Sequence, residues 1–273
     1  MAIIQIDGRA VEYQLDGQGD VVVLCSPNFW PLDAWKLSGI PELSDRYQVL
    51  SFNYRGYGGS EGTPTEYTVY SMADDTRALL EALRIPSAHW VGFAYGAQVA
   101  LKAALKEPAR VKTLVLAASG AGQSSAQPDP EGPVREALRK EGYRDYVRGH
   151  ALNDDFAFNP RNYREHPERA RALADALWER AASEEEFLKH IRARAGFHTL
   201  DDIEKVTQPT LVIVGAEDDV ARGDSTPVKL AHVLAERLPN GELAVVPETR
   251  HMLFWESPEA CWSRVKQFLA AHP

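Results

Sequence analysis

The chain has 273 residues, of which 44% are apolar and 25% charged. That composition excludes disordered and fibrous architectures, and the length admits one large α/β domain or two small ones. Lys and Arg total 30 against 39 Asp and Glu, a formal net charge of -9, which opposes a nucleic-acid backbone or an anionic membrane as main partner. The two cysteines, Cys25 and Cys261, lie far apart in apolar settings and read as reduced, buried thiols. No stretch approaches the roughly 18 apolar residues of a membrane span, and the first residues lack a basic leader, so a cytoplasmic location is expected.

In chain order, Ala2–Ile6 and Val11–Leu15 meet at Gly8 as a predicted antiparallel hairpin. Short apolar runs rich in Val, Leu and Ile follow at Val21–Cys25, Tyr47–Phe52, His89–Phe93, Thr113–Ala118, Thr210–Gly215 and Glu242–Val246. These are strands of the kind covered on both faces. Helical patterns alternate with them at Ser71–Leu83, Gln98–Lys106, Pro227–Leu238 and Pro258–Ala271, the last with Ser257 as N-cap and Pro258 in the first turn. The alternation predicts a mostly parallel sheet between helical layers. Residues 121–200 break it. They contain the loop Ser124–Pro133 and helical segments at Arg135–Lys140, Arg169–Arg180 and Glu184–Arg194, but no strand. Because the sheet resumes at Thr210, residues 121–200 are expected to form a helical cap over a core of 1–120 and 201–273.

The segment Gly92-Phe93-Ala94-Tyr95-Gly96 stands between a strand and a helix. In a nucleophile elbow this turn carries Gly-x-Ser-x-Gly, and its glycines let backbone pass without a Cβ clash. Here the centre is Ala94, and a methyl group cannot attack a carbonyl. Farther on, Asp218 and His251 both follow strands. A histidine there can take a proton and return it, and a carboxylate behind it fixes the tautomer. Elbow, acid, histidine is the chain order this arrangement requires.

With these residues the chain resembles the α/β-hydrolase superfamily over nearly its whole length. Asn53-Tyr54-Arg55-Gly56-Tyr57-Gly58-Gly59-Ser60 is similar to that family's turn after the fourth strand. Pro209–Asp219 is similar to its acid strand, whose register selects Asp218 over the neighbouring Glu217 and Asp219. Arg250-His251 through Glu259 is similar to its histidine loop. The acid position used by some members after the preceding strand reads Ala118-Ser119-Gly120 here and offers no carboxylate. The resemblance implies an oxyanion hole of two backbone N–H groups, from Tyr95 and from Asn28 in the loop Ser26-Pro27-Asn28-Phe29-Trp30, where most members carry His-Gly. A mild likeness to the enol-lactonase branch accompanies it.

The implied activity is hydrolysis of a small or medium carboxylic ester or lactone through a Ser-His-Asp triad, with no metal or organic cofactor. Ala94 then reads as a serine exchanged for alanine, because the rest of the machinery is intact. The alternatives are a C–C bond hydrolase on the same triad, a ligand-binding chain with a native alanine, or a lyase or oxygenase using His251 as base. Phe29, Trp30, Trp178 and Met252 are candidates for contacting substrate, with Phe156, Phe158, Phe197 and Phe254 as further apolar lining. Arg144, Arg148 and Arg161 are candidates to meet an acidic substrate, and His198 to face the site from the cap. His150, His166 and His190 are expected to be structural. No Gly-x-Gly-x-x-Gly register, phosphate-loop lysine or metal-ligand spacing occurs. Oligomeric state is left open.

Overall fold

Strand order in the sheet decides which loops become neighbours. The computed structural model describes residues 1–27, 29–122, 129–152, 157–194, 197–219 and 225–273. The chain enters through the hairpin β1 (Ala2–Ile6) and β2 (Arg9–Asp16), then β3 (Val21–Cys25). Two single-turn helices, α1 (Ala34–Leu37) and α2 (Ile40–Leu43), precede β4 (Gln48–Phe52) and α3 (Val69–Ala82). Next come β5 (Ala88–Phe93), α4 (Tyr95–Lys106) and β6 (Val111–Ala117). The insertion contains α5 (Gly132–Glu141), α6 (Tyr143–Leu152), α7 (Pro160–Glu165), α8 (Pro167–Glu179) and α9 (Glu184–Ala193). The sheet then resumes with β7 (Thr210–Gly215), α10 (Pro227–Arg237), β8 (Gly241–Val246), α11 (Leu253–Glu256) and α12 (Pro258–Ala271).

The spatial order is β1-β2-β4-β3-β5-β6-β7-β8, antiparallel at β1-β2-β4 and parallel from β4 onward. From β3 the chain steps outward to β4, then returns to place β5 on the other flank of β3. Strand order reverses there, so the carboxyl ends of β3 and β5 flank a topological switch point, the place where open α/β sheets bind ligands. The strands alternate strictly. Val22, Leu24, Val91, Phe93, Val115 and Ile213 face the layer of α12 and the insertion. Val23, Cys25, Trp90, Leu114, Leu116 and Val212 face α3, α4 and α10. Both faces are covered, which is why these strands read as unbroken apolar runs. Both cysteines are buried as thiols, and burial pushes each well up.

The helices α4 and α5 each begin three residues before their predicted starts, at Tyr95 and Gly132, and two further helix starts depart from the sequence reading. The helix α3 starts earlier than the periodicity indicates, because Thr68 Oγ1 accepts the Ser71 N–H at 3.0 Å. Ser257 does precede α12, but its side chain makes no cap; its Oγ instead shares a 2.8 Å hydrogen bond with Thr249 Oγ1.

The insertion is clipped at its base and shares the main core. Gly122 bridges His198, and the Ala121 carbonyl accepts both the N–H and the Oγ1–H of Thr199, each at 2.8 Å. Val147, Leu173, Leu177, Phe187 and Ile191 join the same apolar cluster as Phe93 and Trp255. The far side is tied down by Arg180, whose Nη2 donates to both oxygens of buried Glu12 at 2.7 Å. Glu12 also accepts from Asn53 Nδ2 and the Gly59 N–H. Burial alone would raise the Glu12 carboxyl; these donors more than offset it and hold it below the ordinary carboxylate range. A lowered folded-state value contributes stability above the ordinary range that is lost as pH falls through the folded value. Glu12→Gln is therefore expected to flatten the decline of unfolding free energy below about pH 4.5, measured by urea denaturation across the acid limb.

Candidate active site

Ala94, Asp218 and His251 stand beyond the carboxyl ends of β5, β7 and β8. Ala94 has φ 51° and ψ −111°, a conformation that costs a residue bearing a Cβ about 1–3 kcal/mol. Its N–H donates to the Ala117 carbonyl at 2.8 Å, and α4 begins at the next residue. The flanking glycines are obligatory. A Cβ at Gly96 would lie 2.0 Å from the Cys25 carbonyl oxygen, and one at Gly92 would lie 2.4 Å from that of Gly96. The close pass at Gly96 brings the loop after β3 against the elbow. Gly96→Ala is expected to destabilise the protein by about 3 kcal/mol, since only backbone can yield; a denaturant midpoint near that of the parent would contradict this.

His251 Nδ1 lies 2.8 Å from Asp218 Oδ2. An ionised carboxylate only accepts, so Nδ1 carries the hydrogen and Nε2 is the nitrogen that can exchange a proton. Asp218 is fully buried, and its Oδ1 has no hydrogen-bond partner among the described residues. The neighbouring acids are otherwise engaged: Glu217 accepts from Asn159 Nδ2 at 2.7 Å, and Asp219 is exposed. The imidazole packs at 5.3 Å on the ring of Phe93, the residue before Ala94.

Tyr95 opens α4, where backbone N–H groups lack an intrahelical acceptor. Its side chain turns to the opposite face of the sheet and meets Tyr54 edge-on at 6.0 Å. Asn28 lies outside the described residues, as does Phe156. The loop that carries Asn28 is anchored before it by Ser26, whose Oγ accepts from Trp35 Nε1 at 2.9 Å. After it, Phe29 sits edge-on to His150 (4.7 Å) and Phe187 (5.3 Å) of the insertion. Trp30 packs between Phe93 and Trp255. Met252, next to His251, donates its N–H to the Ala157 carbonyl at 2.9 Å. Trp178 is half-buried against Tyr143 within the insertion, and Phe158 is buried in the same cluster.

Phe197, Phe254 and His198 stand elsewhere than expected. Phe197 packs on the opposite face of the sheet near Tyr70, and Phe254 stacks on Trp262 at 4.3 Å in the core, so neither lines the site. Arg144 is exposed, Arg148 pairs with Asp175, and Arg161 pairs with Glu165 and Glu248. His198 lies at the base of the insertion, 3.6 Å from Asp201, instead of at the elbow. The Asn53–Ser60 turn is scaffolding: Asn53 Oδ1 accepts the Leu32 N–H, and Arg55 forms a bidentate pair with Asp75. Buried His190 donates from Nε2 to the Arg55 carbonyl at 2.8 Å, and desolvation pushes it down to about 4.

Two residues that the sequence did not single out, Asn159 and Glu256, bond to the segments carrying Asp218 and His251. The one signal for Glu256 is a lone acid closing the apolar run Met252–Trp255. Among the described residues no group of His, Cys, Asp and Glu could hold a metal ion, and no helix is long and apolar enough to cross a membrane.

Residues 28–258 match the family model of the α/β-hydrolase fold. RutD of Agrobacterium fabrum, named for carbamate hydrolysis, is 28% identical over 269 residues, covering 95% of this chain and 98% of its own. The enol-lactonase from Burkholderia xenovorans superposes with a TM-score of 0.82 at 22% identity, covering 98% of this chain and 100% of that one. A thermophilic esterase from Thermogutta terrifontis gives 0.86 at 23% identity, over 100% of both chains. The matched length, the strand order and the elbow together establish that the chain belongs to the α/β-hydrolase fold family and is a hydrolase of that fold.

Proposed function

We propose that the site is built to cleave a small or medium carboxylic ester or lactone through a serine at position 94, and that the chain with Ala94 is catalytically impaired. The observation that carries this reading is the strained backbone of Ala94 set beside the His251–Asp218 pair. A plain turn has no need of a conformation that costs about 1–3 kcal/mol, whereas a nucleophile must be raised above the sheet edge. With serine there, His251 Nε2 takes the hydroxyl proton as Oγ bonds to the carbonyl carbon. The oxyanion sits on the N–H groups of Tyr95 and Asn28. Collapse breaks the C–O bond, and the leaving alkoxide takes the proton from His251; in a lactone it stays tethered to the acyl group. Water then repeats the sequence and releases the acid. Asp218 holds the tautomer and stabilises the imidazolium.

Residues 121–200 act as a cap over this site, with 1–120 and 201–273 as the core. Phe29, Trp30 and Met252 contact substrate where loop and cap meet, and Trp178 contributes from the cap. The relatives are named as a carbamate hydrolase, an enol-lactonase and an esterase, names consistent with attack at an acyl carbon. Ala94 itself favours a second reading, in which His251 acts directly as base on water or substrate. The test is a panel of p-nitrophenyl esters, lactones and vinylogous diketones given to the Ala94 chain and to Ala94→Ser. Turnover of esters or lactones only by the serine form supports the proposal. Preference for diketones moves the assignment to C–C hydrolysis, and equal turnover by both forms establishes the base-only route.

A further inference from the structure

We propose that Asn159 and Glu256 are positioning residues, a clasp through which the insertion sets His251 against Asp218. The proposal rests on the reading of that pair as catalytic.

Glu256 closes α11 and is buried. Its Oε2 accepts the Arg250 N–H at 2.6 Å, and its Oε1 accepts the Asn159 N–H at 2.5 Å and Asn162 Nδ2 at 3.1 Å. One carboxylate thus joins the residue before His251 to the insertion. The residue after His251 is held from the same side, since the Met252 N–H donates to the Ala157 carbonyl. Asn159 completes the link to the acid. Its Nδ2 donates to Glu217 beside Asp218, while its Oδ1 accepts the Arg161 N–H and caps α7. The Glu217 N–H in turn donates to the Thr249 carbonyl at 2.9 Å. Neighbours of both catalytic residues are therefore tied to one residue of the insertion, Asn159: Glu217 through its side-chain amide, and Arg250 through Glu256 and the Asn159 backbone N–H.

The chemistry of the clasp is specific. The two backbone N–H groups, from distant segments, are taken by separate oxygens of one side chain, which a carboxylate offers and a carboxamide does not. A glutamine at 256 would turn an NH₂ toward one of them. Burial, with Glu217 nearby, pushes the Glu256 carboxyl up despite its donors, so its charged form costs stability.

The test compares Asn159→Asp and Glu256→Gln. Aspartate at 159 keeps the size and the α7 cap, but turns an oxygen toward Glu217, so it breaks the clasp without removing the helix start. In the Ala94→Ser background, kcat is expected to fall about 10- to 100-fold with KM changed far less, the signature of a misplaced base. In the unaltered Ala94 chain, amide hydrogen exchange across 249–256 is expected to quicken in both variants. If Ala94→Ser shows no hydrolysis, the catalytic reading has failed, and faster exchange still supports the clasp. Unchanged exchange in both variants, or faster exchange with kcat intact, overturns the positioning role.

Discussion

Replacing Ala94 with serine is expected to raise ester or lactone hydrolysis by at least about 10⁴-fold over the Ala94 chain. Removing the nucleophile from a triad costs on the order of 10⁶ in kcat, and the oxyanion hole with binding alone retains about 10³ to 10⁴ over water. The elbow holds position 94 at φ 51°, and His251 is already bonded to Asp218. Serine adds one oxygen to a half-buried methyl whose backbone is already set. Little further reorganisation is needed, and the fold should tolerate the change. Parallel progress curves for the two proteins check this, with His251→Ala in the serine background expected to abolish the gain. A gain that survives His251→Ala would remove the histidine from the reaction.

Asp218→Asn in the same serine background is expected to lose about 10⁴-fold in kcat. The asparagine amide can hold the ring, but it permits the wrong tautomer and does not stabilise an imidazolium. The fold should not suffer in parallel. Asp218 is fully buried with one oxygen lacking a partner among the described residues, an arrangement that costs stability. The variant is therefore expected to melt at or above the temperature of its parent while being nearly inactive, the inverse relation found where a charge is kept for function. Joint loss of melting temperature and rate would instead mark Asp218 as structural.

The central parallel strands were legible because both of their faces are buried, and the runs at Val21–Cys25 and Thr210–Gly215 match β3 and β7 end to end. The helices α6 and α7 were not. Tyr143–Leu152 mixes Arg, Asp, Gly and His among few apolar positions, and Pro160–Glu165 is a single capped turn and a half set by Asn159. The single-turn helices α1, α2 and α11 are fixed by packing more than by propensity, with Trp35 and Trp255 buried inside them. The catalytic candidates were legible because elbow, acid and histidine each sit in a local pattern. Phe197 and Phe254 were misplaced because an aromatic in a loop or short helix has no period to declare which face it joins. The Asn159–Glu256 contact spans 97 positions and involves a backbone N–H, which leaves no trace in residue type.

The most direct test of the catalytic account is the intact mass of Ala94→Ser after brief exposure to a p-nitrophenyl ester, with the modified peptide then located by fragmentation. The account predicts a transient adduct of one acyl group on the position 94 hydroxyl, accumulating faster than it hydrolyses and absent from the Ala94 chain. Ester turnover by the serine form with no adduct at position 94, or equal turnover by both chains, would contradict it.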